Sequence, residues 1–179
     1  MLVKKNGMSG HNKWSQIKHQ KGAVDKKRGL AFGKLSRAIS VAARGETNPE
    51  FNHRLRALIE KAKQVAVPKD VITRALDTSS GKDLENLVIE AYGPGGIAIM
   101  MDAITDSRNR TINELKHLIG ANGGKFAEQG SVRWAFEGDE PKFTQEVEGD
   151  DARAARALIG KLEDHDDVQS VVTNAIFPQ

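Results

Sequence analysis

The first 45 residues hold eleven lysines and arginines against a single acid, Asp25. Ammonium and guanidinium groups at that density take the phosphates of a polyanion and release its counterions. The side chains suited to this are Lys13, Lys18, Lys21, Lys26, Lys27, Arg28, Lys34 and Arg37. Trp14 sits among them, and two readings of it stand: an indole stacked on a nucleobase, or an anchor packed on the protein that positions the basic stretch. His11 and His19 lack the cysteines or the HExxH spacing of a zinc site, so they are read as polar contacts to backbone or phosphate. A second candidate contact is Arg108-Asn109-Arg110, where the chain enters a helix whose amino terminus favours anions. Its alternative is a surface loop in which Asp106 and Ser107 cap that helix.

Other chemistries find little support. The chain has no cysteine, which excludes a disulfide scaffold, a thiolate metal site and a cysteine nucleophile. Gly93-Pro94-Gly95-Gly96 lacks the Lys-Ser/Thr of a phosphate loop and opens a strand, so it reads as a hairpin turn. Glu163-Asp164-His165-Asp166-Asp167 lacks the ligand spacing of a calcium loop and reads as a solvated connection. No Ser/His/Asp set, carboxylate pair or cofactor fingerprint emerges. The expectation is a protein that is not an enzyme, with no metal, cofactor or small-molecule substrate.

The net charge of +3 over 179 residues hides a strong polarity. Residues 1–74 hold 17 basic and 5 acidic side chains, and residues 75–179 hold 10 and 19, giving +12 and −9. Such segregation marks an interaction surface for nucleic acid. No apolar run reaches membrane-spanning length, and the start resembles neither a signal nor a transit peptide. A cytoplasmic protein with no membrane partner is expected. Residues 1–7 read as a short disordered extension, or as an upstream start before Met8.

The elements that must position these side chains divide into two groups. Residues 8–28, with few large apolar side chains, read as an arm anchored at Trp14. A helix from Asp25 to Ala43 follows, its stripe Phe32, Leu35, Ile39 and Ala42 opposite Lys27, Lys34 and Arg37. A second helix is expected from Asn48-Pro49 with Phe51, Leu55, Leu58, Ala62 and Val65 inward. Pro68 opens a short third one, and Ser79-Ser80-Gly81 is a linker. This makes residues 8–80 a basic helical nucleic-acid-binding domain. Beyond it the apolar period falls to two. A hairpin of Asn86–Tyr92 and Ile97–Ile104 precedes a helix with a capping-box spacing from Thr111 to Glu114. Strands are expected at Ser131–Phe136 and Lys142–Val147, then a helix from Gly149-Asp150 and a final strand Val168–Ile176. The fold class is therefore α+β. An amino-terminal three-helix domain leads into an α/β layer domain over residues 81–179, with a ferredoxin-like β-β-α-β, β-α-β order.

At this point the residues resemble the YebC/PmpR family, which includes the mitochondrial translational activator of cytochrome c oxidase. The resemblance lies in Ser9-Gly10-His11-Asn12-Lys13-Trp14, Ile17-Lys18-His19 and Asp25-Lys26-Lys27-Arg28-Gly29. It continues through Arg54-Leu55-Arg56, Glu60-Lys61-Ala62-Lys63 and Pro68-Lys69-Asp70. Tyr92-Gly93-Pro94-Gly95-Gly96, Thr105-Asp106-Ser107-Arg108-Asn109-Arg110-Thr111, Gly123-Gly124, Gly130-Ser131-Val132 and the segments Leu162–Gln169 and Thr173-Asn174-Ala175 follow in the same order. The resemblance implies a non-enzymatic regulator of gene expression. One form of it is a ribosome-associated translation factor that touches rRNA or tRNA, with ribosomal proteins as further partners, and relieves stalled synthesis. The alternative is a DNA-binding transcriptional regulator. Members carry a further small α/β domain inserted in the middle domain. Here only Glu137–Lys142 separates Phe136 from Phe143, so that inserted third domain is expected to be absent near residues 137–142.

Overall fold

The computed structural model describes residues 10–77 and 83–178, apart from the side chains of residues 10–23. Three helices come first: α1 (Gly10–Ala42), α2 (His53–Gln64) and α3 (Lys69–Asp77). They bury Leu35, Ile39, Ala43, Leu55, Ala62, Val67, Ile72 and Ala75 against one another. Ser40 joins α1 to α3 by donating its hydroxyl to the Ala75 carbonyl at 2.7 Å.

Two expectations change here. The arm read over residues 8–28 is continuous helix from Gly10 onward. That stretch has no proline and carries five lysines, an arginine and two glutamines, good helix formers that favour helix where no apolar stripe exists. The second helix starts at His53, not at Asn48-Pro49. Asn52 is its cap: Oδ1 accepts the Leu55 N–H at 3.0 Å, and Nδ2 donates to the Ala42 and Glu46 carbonyls. Phe51 therefore lies outside the helix, 74% exposed.

The second part is built on a four-stranded antiparallel sheet in the order β3-β1-β2-β7, from β1 (Glu85–Tyr92), β2 (Ala98–Thr105), β3 (Lys125–Ala127) and β7 (Val168–Thr173). The β1–β2 hairpin pairs Glu85 with Thr105 through to Tyr92 with Ala98. Its turn needs glycine at 95, where φ is +73° and an added Cβ would meet Val147 Cγ1 at 2.8 Å. The helices α4 (Arg108–Ala121) and α5 (Gly149–Glu163) cover one face of the sheet. Leu87, Ile89, Ile99 and Met101 are buried there with Leu115, Ile119, Leu158 and Leu162. The resulting fold is α+β, as the sequence pattern implies.

On the opposite face Ala98, Val132, Ala135 and Phe136 form a small cluster. The strand expected over Ser131–Phe136 is replaced by a helical turn, Arg133–Ala135, and a two-residue strand, β4 (Phe136–Glu137). The cause is Glu90, 2% exposed, whose carboxylate accepts the N–H groups of Gly130 and Val132 at 2.8 Å each. Amides spent on a side chain cannot join a ladder. β4 pairs tightly with β5 (Glu140–Pro141), so Gly138 and Asp139 alone span the turn.

Of the strand expected over Lys142–Val147, only β6 (Gln145–Glu146) pairs, in parallel with β8 (Ala175–Ile176). The amides of Lys142 and Phe143 go to the Ala135 carbonyl instead. Asn174 divides the last strand. It accepts the Ala98 N–H at 2.8 Å and donates to the Phe143 carbonyl at 3.0 Å. The linker at Ser79–Gly81 and the extension at residues 1–7 lie outside the described residues.

Candidate nucleic-acid interface

The helix α1 presents three faces, and spacing decides what each meets. Phe32, Leu35 and Ile39 turn to the helical core. Lys26, Gly33, Arg37 and Ser40 line a cleft of about 810 Å³ against the second domain. Ala31, Lys34 and Ala38 line a groove of about 640 Å³ on the other side. Near the exposed part of the helix, Lys26, Lys27 and Arg28 are all open to solvent. The Arg28 guanidinium lies 5.3 Å from the centre of the Phe32 ring, which holds the charge without neutralising it. Among the described residues no carboxylate pairs with these three cations.

The other predicted cations are engaged. Lys34 donates from Nζ to the Glu163 carbonyl, and burial, outweighing nearby acids, lowers its pKa. Arg37 reaches Asp167 Oδ1 at 3.3 Å. Arg110 reaches Asp167 Oδ2 at 2.8 Å and Asp106 at 3.0 Å, and its pKa is raised by the hydrogen bond to Asp167. Arg108 lies 3.6 Å from Glu85. The two arginines of the helix entry thus face carboxylates. Ser107 is the helix cap by position, yet its side chain makes no capping bond. The side chains of His11, Lys13, Trp14, Lys18, His19 and Lys21 lie outside the described residues.

Sequence reasoning missed the group that organises this region. Asp167, read as part of a solvated connection, is 4% exposed. Besides Arg37 and Arg110 it accepts the Thr111 hydroxyl at 2.6 Å. Burial pushes its pKa up, but the Thr111 and Arg110 hydrogen bonds and both guanidinium charges win, and the net shift is downward. Thr111 is accordingly not a capping residue: it lies inside α4, with its hydroxyl on Asp167 and Thr105. His165 Nδ1 accepts the Asp167 N–H, which leaves Nε2 beside Glu114 at 3.2 Å. Among the described residues no group of three histidines or acids could hold a metal ion, and no helix is long and apolar enough to cross a membrane.

A basic three-helix unit tied to an α+β layer unit defines the class. Residues 12–82 match the model of the TACO1/YebC protein N-terminal domain, and residues 84–139 match that of the TACO1/YebC second and third domain. The chain belongs to the TACO1/YebC family. A Thermomicrobium roseum protein named "Probable transcriptional regulatory protein" is 37% identical, with 96% of this chain and 97% of that protein covered. That alignment takes 241 positions against 179 residues here, which leaves at least 62 positions of it without a residue in this chain. A Fervidobacterium nodosum protein of the same name is 50% identical over 135 residues. There the match spans 73% of this chain and 54% of the relative, about half its length. A crystal structure titled as a conserved hypothetical protein from Aquifex aeolicus superposes with a TM-score of 0.82 at 29% identity. It covers 87% of this chain and 93% of that one.

Proposed function

We propose that this chain is a non-enzymatic regulator of gene expression that grips nucleic acid by its backbone along the exposed basic stretch of α1. The observation that carries the reading is the run Lys26-Lys27-Arg28, exposed and free of carboxylate partners among the described residues. Consecutive residues on a helix point in different directions, so the three charges spread around α1 and bind a curved polyanion without reading base sequence. Lys13, Lys18 and Lys21 extend the charge along the same helix in sequence. The acidic second half repels the polyanion from its own surface.

The name of the relatives, probable transcriptional regulatory protein, supports a DNA partner. A second reading, a ribosome-associated translation factor on rRNA or tRNA, is favoured by the lysine-rich character of the stretch. Ammonium groups read backbone and shape rather than base edges. The test has two arms. K26E/K27E/R28E should bind a fluorescein-labelled duplex roughly tenfold more weakly or worse, with an unchanged thermal midpoint because all three side chains are exposed. Equal binding by variant and parent would sink the proposal. Sucrose-gradient sedimentation then separates the partners: migration with ribosomal particles supports the translation factor, whereas free migration with a footprint on promoter DNA supports the transcriptional regulator.

A further inference from the structure

The groove beside α1 has one basic wall and one polar floor. On α1, Lys27, Ala31, Lys34 and Ala38 follow one another at spacings of four, three and four, which places them on one helical face. On α2 and its carboxy-terminal cap, Arg54, Leu58, Lys61 and Val65 repeat the same spacing. Both stripes border the groove: Ala31, Lys34 and Ala38 from α1, and the whole set from α2. The alanines keep it open, while the cations stand two helical turns apart, roughly 10 Å along each axis. Arg54 and Lys61 are exposed and have no ion-pair partner among the described residues.

The floor is the sheet face that α4 and α5 leave uncovered. It offers Asn86 from β1, Asp102 from β2, and Gln169 and Ser170 from β7. The Ser170 hydroxyl donates to Asp102 Oδ2 at 2.9 Å. A carboxylate accepts several hydrogen bonds, so Asp102 keeps capacity for further donors. Val65 beside the wall and Val88 on the floor stand exposed in the groove and supply apolar contact. A carboxylate on the floor turns phosphates away from it and towards the cationic wall. It favours hydrogen-bond donors: ribose 2′-hydroxyls and the exocyclic amino groups of bases. A paired duplex keeps its base edges inside its grooves, whereas an unpaired strand can splay them.

We propose that this groove holds an unpaired RNA strand, with phosphates on the Arg54–Lys61 wall and ribose and base edges on the Asn86–Asp102–Ser170 floor. The inference rests on the nucleic-acid reading of α1 and extends it to a second surface with its own ligand class. The full chain is tested by fluorescence anisotropy with fluorescein-labelled single-stranded RNA, single-stranded DNA of the same sequence, and duplex. R54E/K61E, and the milder R54Q/K61Q, should weaken binding of the RNA strand by roughly tenfold or more and of the duplex much less. Photocrosslinking with a 4-thiouridine strand should label peptides carrying Asn86, Asp102 and Ser170. The groove is refuted if R54E/K61E keeps its affinity for the RNA strand while K26E/K27E/R28E loses it, a result that leaves the α1 reading intact. Equal affinity for the DNA strand, or crosslinks confined to peptides preceding Arg28, refutes it as well. A wild-type chain that binds no nucleic acid at low salt removes both readings together.

Discussion

A carboxylate at 4% exposure is tolerated only when its charge is met, and Asp167 is met from three directions by Thr111, Arg110 and Arg37. Because Arg37 belongs to α1 and Arg110 to α4, the same group ties the helical unit to the layer unit. Asp167→Asn keeps the shape but removes the charge, and leaves two guanidinium groups facing a neutral amide. A loss of about 2–4 kcal/mol in unfolding free energy is expected from urea titration at pH 7. The pH dependence has a fixed sign. The folded-state pKa of Asp167 lies below its ordinary value of 3.8, so its contribution is complete above that value and is lost as pH falls through the folded pKa. The gap between parent and variant should therefore close below about pH 4. A gap that stays constant down to pH 2 would mean that Asp167 ionisation does not matter.

At the scale of elements, α1 is the segment whose two halves differ most in what holds them. Residues 32–42 are fixed by packing of Phe32, Leu35 and Ile39, and the repeat of those side chains made that half legible in the sequence. The half before Arg28 has no such stripe, so periodicity alone suggested an arm. Gly29 sits at the junction, in helical geometry, and a Cβ there would meet nothing within 4 Å. Gly29→Ala should raise thermal stability by about 0.5–1 kcal/mol through helix propensity alone; a neutral or destabilising result would break the helix at that point. The hairpin, α3 and α5 were equally readable from turn residues and apolar spacing. The Ser131–Phe136 strand was not, because the alternation of Val132, Trp134 and Phe136 is real, but Glu90, forty residues earlier, takes the amides a strand would need. The candidate site divides the same way. Its cations were visible in composition, but the Glu163 carbonyl that takes Lys34 and the Asp167 carboxylate that takes Arg37 and Arg110 lie far along the chain from them. Only the fold joins them.

Over the whole molecule, the +12 and −9 halves meet where Lys34 and Arg37 contact the segment from Glu163 to Asp167. Part of the basic charge therefore holds the two units together and is not available to a ligand. The remainder, centred on Lys26, Lys27 and Arg28, projects outward. Internal pairs that are partly buried are screened weakly, whereas exposed contacts to phosphate are screened strongly. Salt thus separates the two populations. The logarithm of the association constant for duplex should fall linearly with the logarithm of salt concentration, by about 0.9 per phosphate neutralised. In K26E/K27E/R28E the magnitude of that slope should drop by roughly 2–3, one step for each cation removed. The urea midpoint of the free protein, governed by Asp167 and the two cores, should move little over the same salt range. If binding were carried instead by the engaged cations, capture of phosphate would first have to break their pairs with the second domain. The slope would then survive the triple substitution.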